Sequence, residues 1–374
     1  MTEENYKTCV STNNRQMLSE TIDRICEYCI QAIKDRKLSL PKVQINKRMD
    51  STSRKERLIG RESALQQCFD YIAVYSAMDI FGRRMVTEQA SSIPGRGQIY
   101  GIRMIRKWIH NDNYSAQYAI KHGLRYTGKC KYFVKLDIRK CYPSADKETF
   151  MDLFKRDCAN EDIIWLWQEL LKTHNAGNYT GLMIGALPSQ WACQYMLSFI
   201  YRFAKSQCRI RRNQRSPTVT HMMMFMDDML LFSGNRKALR KAVENITKYT
   251  RKELHWTIKP NWHIRDINKF DADMMGFVIR HDGSIKIRDR NFIHLRRLII
   301  RGDRKPYTIS QAKRLISYKG FLRYSNSESL DRKYNIRRHL AQATRIISNH
   351  DRRLKDGDCK STLRRIQTKR QIPA

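Results

Sequence analysis

Two adjacent carboxylates inside an apolar run are the residues of this chain best suited to chemistry. Asp227 and Asp228 lie within the segment Met222–Phe232, whose other residues are all apolar. Burying two carboxylates is costly unless positive charge lies beside them, and a divalent metal ion is the obvious candidate. The apolar residues on both sides predict two short buried strands joined by a tight turn that carries the acids. An Asp-Asp pair in this setting can also be a simple hairpin turn, because Asp is common in turns.

A further acid that fits the same chemistry lies upstream. Asp137 ends the strand-like alternation Tyr132–Asp137, and the aromatic residue Tyr142 follows five residues later. A two-metal site needs carboxylates from separate elements, because the attacking and the departing oxygen must both be held in line. Asp137 on one strand, together with Asp227 and Asp228 on a neighbouring hairpin, provides that set.

Five segments in chain order resemble the motifs of reverse transcriptases, and among these the compact bacterial types. Asp137–Tyr142 resembles the first palm motif, and Phe225–Asp228 resembles the third. The other similar segments are Gly181–Trp191 (the middle motif, against template and incoming base), Leu254–Pro260 (a motif with a lysine near the triphosphate) and Met274–Ile279 (the primer-grip hairpin). Towards the N-terminus, residues 54–60 and 91–98 resemble a fingers segment and the loop after it.

The resemblance implies a set of site residues and cofactors. It implies two Mg²⁺ ions, with Mn²⁺ as an alternative, held by Asp137, Ile138, Asp227 and Asp228, of which the three aspartates are catalytic. The implied nucleotide-binding residues are Arg57, Tyr142, Gln190 and Lys259, with Tyr142 excluding ribonucleotides and Lys259 near the phosphates. Gly276 and Phe277 would form the primer grip. The residues expected to bind RNA are Arg96, Arg296, Arg297, Arg352, Arg353, Arg364 and Arg365.

The implied fold class is α+β, a right-hand polymerase fold with helical fingers, a mixed-sheet palm and a three-helix thumb. We divide the chain into an N-terminal helical extension (1–50), fingers (51–130), palm (131–287), thumb (288–348) and a basic C-terminal tail (349–374). The spacing of apolar residues predicts helices over 17–35, 147–158, 165–172, 190–205, 235–254, 292–301, 310–324 and 333–348. The tail has little apolar content, so we expect a solvated face or an RNA-binding extension that orders on binding.

Composition favours nucleic acid as the partner. The 72 Lys and Arg residues outnumber 36 Asp and Glu, which gives a net charge of +36 and attracts polyanions. We therefore expect an RNA template, in particular a structured noncoding RNA, a DNA primer or product and deoxynucleoside triphosphates. An accessory protein or a homo-oligomer is an additional candidate partner. Without a run of about 18 apolar residues or a signal peptide, we expect a soluble cytoplasmic protein that does not enter membranes.

The ten cysteines of the chain show no regular spacing and indicate reduced thiols rather than a disulfide framework. Cys26 and Cys29 have the Cys-x-x-Cys spacing of zinc or redox sites. No second pair accompanies them, and their segment has helical periodicity. We interpret them as part of a structural helix face.

Several biological roles remain open from the sequence. The short layout is shared by reverse transcriptases of phage defence and of diversity-generating retroelements. The middle motif has Ala186-Leu187-Pro188 where the diversity-generating type would have Asn-Leu-Thr, so we favour antiviral defence with a noncoding RNA. The alternatives are a diversity-generating or other retroelement enzyme, an RNA-binding maturase or scaffold, and a protein-primed or template-independent DNA polymerase. A polymerase fold without activity is disfavoured because all three carboxylates are present.

Overall fold

The computed structural model describes residues 15–49, 56–174, 181–211 and 213–369. The chain divides into two compact units. The first consists of Met1–Gly97 and Val134–Ile264, and the second consists of Gln98–Phe133 and Arg265–Ala374. The borders assigned to fingers, palm and thumb follow sequence motifs rather than this division, and they stay predictions.

The described residues form both helices and short strands. The helices are α1 (Arg15–Lys34), α2 (Ala64–Ser76), α3 (Met78–Arg84), α4 (Gln98–Lys121), α5 (Lys147–Asp157), α6 (Glu161–Thr173), α7 (Leu187–Ser206), α8 (Arg236–Glu253), α9 (Asp289–Arg304), α10 (Ile309–Ser317), α11 (Lys319–Arg323), α12 (Glu328–Tyr334) and α13 (Ile336–Lys369). The strands are β1 (Gln44–Met49), β2 (Glu56–Arg61), β3 (Gln89–Ala90), β4 (Tyr132–Asp137), β5 (Cys208–Arg211), β6 (Gln214–Pro217), β7 (His221–Phe225), β8 (Asp228–Ser233), β9 (Arg265–Asp266), β10 (Ala272–Met274), β11 (Phe277–Ile279) and β12 (Ile285–Ile287).

The central sheet of the first unit places β3, β7, β8 and β4 side by side in that order. Strand β3 runs parallel to β7, whereas β7 and β8 form an antiparallel hairpin. Side-chain caps define where the helices beside this sheet begin. Asp146, Asn160 and Asn235 each accept a hydrogen bond from a main-chain amide in the first turn of α5, α6 and α8.

A cluster of aromatic side chains fixes the helices of the first unit to one another. Phe81, Phe150, Phe154, Trp167 and Tyr195 are all fully buried. Most neighbouring rings lie at edge-on or tilted angles, while Phe150 and Phe154 are stacked. The Trp167 indole N–H also donates to the Ala73 carbonyl over 3.0 Å, so its one polar atom is satisfied. This packing holds the long helix α7, whose first turn carries the middle motif.

The second unit has an antiparallel sheet of β10, β11 and β12 and a group of C-terminal helices. Within this unit Tyr132 and Phe133 pair with the short strand β9. Leu295, Ile299 and Leu315 form the core of the helical part. None of the helices in the described part of the chain combines the length and hydrophobicity needed to cross a bilayer.

Most of the predicted helices lie where the apolar spacing placed them, and three regions differ. The polar stretch at the end of the N-terminal extension contains β1, which pairs with β2, so the assigned border at residue 50 falls inside a hairpin. The strands β5 and β6 were not predicted. Helix α13 continues to Lys369, past the predicted helix end at residue 348 and into the segment assigned to the basic tail, because residues 349–369 contain no proline and many good helix formers.

Candidate active site

The paired carboxylates lie at the tip of the hairpin formed by β7 and β8. Phe225 pairs with Asp228, so the turn consists of Met226 and Asp227 alone. Met226 adopts a left-handed conformation with φ 51°, which a residue with a side chain adopts at some cost. The neighbouring strand residues are buried, while both aspartates are partly accessible. The structure thus confirms two buried strands joined by a tight turn that carries the acids.

The third carboxylate reaches the same edge of the sheet from a separate strand. Asp137 is the last residue of β4, which is the neighbour of β8 in the sheet. Directly after it, the Ile138 amide donates to the Asp227 carbonyl over 3.4 Å. Burial, and then the charges of Asp228 and Asp137, raise the pKa of Asp227 to about 6. The three acids therefore repel one another across a partly buried site.

Two lysines pair with these acids. Lys259 Nζ lies 2.6 Å from Asp137 Oδ1, and Lys135 Nζ lies 3.0 Å from Asp228 Oδ2. Lys259 is held there by its main chain, because its amide donates to the Asp137 carbonyl over 2.9 Å. Asp137 Oδ1 is buried and lacks a hydrogen bond of good geometry, so the approach of Lys259 is an ion pair only.

The donor set suits a hard divalent cation. The described residues contain no cluster of three His, Cys, Asp or Glu side chains placed to hold a metal ion, and two of the three acids form ion pairs with lysines. The three carboxylates nevertheless supply the oxygen donors that Mg²⁺ prefers. Burial and the charges of Asp228 and Asp137 raise the pKa of Asp227 despite the opposing charge of Lys259. A cation at this edge would provide the missing positive charge.

Tyr142 lies beside the turn formed by Met226 and Asp227. Its main-chain carbonyl accepts from the Leu182 amide over 2.9 Å, and its hydroxyl lies 3.8 Å from Met226 Sδ. Gly181 permits this contact, because a Cβ there would lie 2.3 Å from the Pro143 carbonyl oxygen. The first and the middle motif are therefore in direct contact, and Tyr142 lies on the side of the turn where Met226 projects.

The middle motif also contacts β2. The Gly60 amide donates to the Ile184 carbonyl over 2.9 Å, and Gly185 has a φ of 113° that strongly favours glycine. A Cβ on Gly185 would lie 2.7 Å from the Gly60 carbonyl oxygen. This contact fixes the strand that carries the exposed Arg57 next to the helix α7 that carries the half-buried Gln190. The two predicted nucleotide-binding residues thus lie on elements that are joined directly.

The other predicted contact residues differ in their surroundings. Phe277 is fully buried, with its ring centroid 5.1 Å from that of Phe321, and its place in a primer grip stays a prediction. Gly276 lies in the turn before it, with φ 82°. Arg96 is half-buried and donates from its guanidinium to the Val86 carbonyl, an interaction that holds its own loop.

The basic residues predicted to bind RNA lie at the surface where they are described. Arg296, Arg297 and Arg352 are exposed on α9 and α13. The side chains of Arg353, Arg364 and Arg365, like the whole of Arg54 and Lys55 in the predicted fingers segment, lie outside the described residues. The position of this group relative to the carboxylates thus stays a prediction.

Sequence reasoning missed Lys135 and Gln194 at this site. Lys135 precedes Asp137 by two residues, so the alternation of a strand already placed both side chains on one face. Met226 contacts both Tyr142 and Gln194, whose amide lies 3.2 Å from the sulfur. Gln194 is one helical turn after Gln190, a spacing that would have predicted the shared face.

A comparison with protein families matches the part of the chain that contains the three carboxylates. Residues 94–263 match the family model of reverse transcriptase (RNA-dependent DNA polymerase). This match supports RNA-directed DNA polymerase activity and the right-hand polymerase fold, in agreement with the mixed helices and sheet. It covers less than half of the chain. A search of curated proteins found no match.

Among solved structures the chain is similar to telomerases of two yeasts. A telomerase from Candida albicans in complex with a fragment of telomeric RNA has 11% identity and a TM-score of 0.42, with 89% of this chain and 66% of that one covered. Apo telomerase from Candida tropicalis has 11% identity and a TM-score of 0.44, with 88% and 62% covered. The chain thus spans less than two thirds of their length. Likeness at this level carries no argument about function.

Proposed function

We propose that this protein is an RNA-directed DNA polymerase that makes DNA by two-metal-ion nucleotidyl transfer. The observation that carries the proposal is the meeting of Asp137, Asp227 and Asp228 at one edge of the sheet. That edge lies inside the region matched by the reverse transcriptase family. Its substrates would be deoxynucleoside triphosphates, an RNA template and a DNA primer.

The carboxylates of Asp137, Asp227 and Asp228, together with the main chain of Ile138, would hold Mg²⁺ or Mn²⁺. When bound, such ions lower the pKa of a primer hydroxyl and neutralise the charge of the triphosphate and departing pyrophosphate. The protein itself contributes positioning. Release of Asp137 from its pairing with Lys259 would free that lysine for a phosphate, which is the role expected of it from the sequence.

The remaining contacts would select and orient the nucleotide. Tyr142, held beside Met226, would lie under the sugar and exclude a 2′-hydroxyl by steric contact. Gln190 on the first turn of α7 and Arg57 on β2 would contact the base and the phosphates. Fixing these groups on packed elements before binding lowers the entropic cost of reaching the reactive geometry.

The test is loss of activity in the single variants Asp137→Asn and Asp227→Asn. Each should reduce deoxynucleotide incorporation on a poly(rA)–oligo(dT) substrate by about a thousandfold or more, because a metal ligand is removed at the reacting atoms. RNA affinity should change little, because the amide keeps the shape of the side chain.

The matched control is Asp152→Asn, which removes an exposed carboxylate from α5. It should retain wild-type incorporation. Activity of Asp227→Asn within about tenfold of the wild type would refute the assignment of this site.

The template that we propose is an associated noncoding RNA, copied in antiviral defence. The departure of Ala186-Leu187-Pro188 from the diversity-generating pattern supports this choice over such a retroelement. The net charge of +36 favours RNA binding as a second role, as in a maturase or scaffold. Sequencing the RNA that copurifies with the protein, and any DNA attached to it, separates these functions. A DNA copy of one structured RNA is the expected result, and DNA joined to protein would indicate protein priming instead.

A further inference from the structure

A small basic hairpin in the first unit has no part in the site described above. Strands β5 and β6 form a separate two-stranded sheet, with Arg209 opposite Ser216 and Ile210 opposite Arg215. Arg209, Ile210 and Arg215 are all exposed, and Ile210 retains 72% of its accessible surface. A two-stranded hairpin with so little buried surface is marginal in water, so something else must hold it.

Polar contacts at its base hold the hairpin in a fixed place. The Thr218 amide donates to the Gln207 carbonyl over 2.9 Å, which closes the two strands. Lys205 Nζ donates to the main-chain carbonyls of Val219 and Thr220, at 3.2 and 2.7 Å. The side chain of Asn245 on α8 donates to Gln207 Oε1 over 2.9 Å. The hairpin is therefore anchored to the end of α7 and to α8, while its strands remain exposed.

The hairpin and the adjoining face of α8 carry an excess of positive charge, with Glu244 as the exposed acid between the two lysines of α8. Residues 206–220 contain four arginines and no acidic residue. Lys241 and Lys248 precede and follow Asn245 by four and three residues, so they flank the anchor on the surface of α8, and both are exposed. We call Arg209, Arg215, Lys241 and Lys248 the basic ridge. None of these four forms an ion pair with a described residue, and Arg215 donates only to Cys208 Sγ.

The basic ridge lies well away from the candidate nucleotide site. Gln190 is in the first turn of α7, whereas the hairpin begins directly after its last residue, Ser206. At a rise of 1.5 Å per residue these two points are roughly 24 Å apart along one rigid helix. A group bound at the ridge is therefore distinct from the nucleotide and from the paired template base.

We propose that the basic ridge binds the phosphate backbone of RNA outside the segment being copied. Arginine and lysine side chains on an exposed rigid element are the usual donors to phosphate oxygens, and Asn213 and Gln214 at the tip of the hairpin add neutral donors. Among the described residues of the hairpin, Ile210 and Pro217 are the exposed apolar ones, which is little surface for a folded protein partner to cover. The proposal deepens the proposed function, because it assigns a separate contact for the structured part of the RNA.

The experiment is a salt titration of binding to a fluorescein-labelled RNA stem–loop. The variants are Arg209→Gln with Arg215→Gln, and Lys241→Gln with Lys248→Gln, each in the full chain. The logarithm of the affinity falls linearly as the logarithm of the salt concentration rises. In each double variant this fall should become shallower by about 0.7–0.9 for every phosphate that the protein no longer neutralises. The control pair is Lys155→Gln with Arg156→Gln, which removes the same charge from the exposed surface of α5 and should leave the slope unchanged.

Primer extension on poly(rA)–oligo(dT) at saturating template provides the second measurement. Wild-type rates in both ridge pairs, together with reduced slopes on the stem–loop, are the expected result. Slopes equal to the wild type in both pairs would overturn the proposal and leave the ridge free for an acidic protein. A wild-type protein that incorporates no nucleotide would refute the proposed function, whereas the binding slopes would still decide the ridge.

Discussion

At the scale of single residues, the site depends on charges that compensate one another only in part. Asp137 and Asp228 each form an ion pair with a lysine, whereas burial and the other two acids raise the pKa of Asp227 to about 6 against the opposing charge of Lys259. Burial and like charges both raise the pKa of a carboxylate, because they destabilise its charged form. A bound cation offsets the cost of burial and the repulsion, so such a carboxylate binds a cation more readily than an exposed one. We propose that the side chains around the acids, above all Tyr142, select the nucleotide.

Substitution of Tyr142 tests sugar selection. Tyr142→Val removes the ring that lies beside Met226, so the ratio of ribonucleotide to deoxynucleotide incorporation should rise by about tenfold or more, with deoxynucleotide use retained. Tyr142→Phe keeps the ring and should keep the wild-type ratio. Single-nucleotide primer extension measures both variants. Equal ratios for Tyr142→Val and the wild type would mean that another residue discriminates the sugar.

At the scale of elements, the contact of β2 with the middle motif joins the two segments expected to hold the nucleotide. It depends on glycine at two positions. A Cβ on Gly60 would overlap the buried side chain of Met183, and a Cβ on Gly185 would press on the main chain of Gly60. The close approach of two backbones therefore replaces side-chain packing here.

Substitution of Gly185 tests the role of this contact. Gly185→Ala places a Cβ in a strained conformation against main-chain oxygen, so the free energy of unfolding should fall by about 1–3 kcal/mol. Displacement of β2 should also raise the KM for deoxynucleotides. Gly82→Ala is the control, because a Cβ on this exposed helical glycine meets nothing within 4 Å and should be neutral or slightly stabilising. Urea unfolding and steady-state kinetics give both quantities, and equal behaviour of the two variants would contradict the prediction.

At the scale of the whole molecule, a buried polar cluster makes stability depend on pH. Asp70, Gln66 and His174 are buried, and Ser189 Oγ lies 3.4 Å from His174 Nδ1. Burial, and to a lesser degree the charge of Lys147, lower the pKa of His174 to about 3. Burial and the neighbouring Glu62 raise the pKa of Asp70. Both groups are therefore held in their neutral forms near neutral pH.

The histidine should destabilise the fold in mild acid. Its folded pKa is depressed below the unfolded value of 6.5, so its contribution is complete above pH 6.5 and is lost as the pH falls towards 3. At about pH 5 the loss should be about 2 kcal/mol. The free energy of unfolding of the wild type relative to His174→Gln should therefore fall by about 2 kcal/mol between about pH 7.5 and about pH 5 in urea unfolding, because the opposite contribution of Asp70 is common to both proteins. His110→Gln, at an exposed position of α4, should show the pH dependence of the wild type. The same dependence of the free energy of unfolding on pH in all three proteins would refute the role of His174.

The sequence by itself determined the features that depend on local pattern. The alternation of Tyr132–Asp137 and the apolar residues around Asp227 predicted strands that the structure contains, because a period of two fixes which side chains face the core. Apolar spacing of three and four likewise predicted α5, α7 and α8. Both the hairpin turn and the enzyme class followed from short motifs whose residues are neighbours in the chain.

Only the tertiary structure decided which distant segments meet. Three contacts join residues that are far apart in sequence. They are the ion pair of Lys259 with Asp137, the hydrogen bond of β2 to Ile184 and the packing of Phe277 against Phe321. No local period encodes such contacts, since they arise when packed helices and strands bring separate motifs to one place. The hairpin of β5 and β6 was not predicted, because it too depends on contacts with distant segments. Its exposed residues have no apolar pattern, and polar anchors supplied by α7 and α8 hold it.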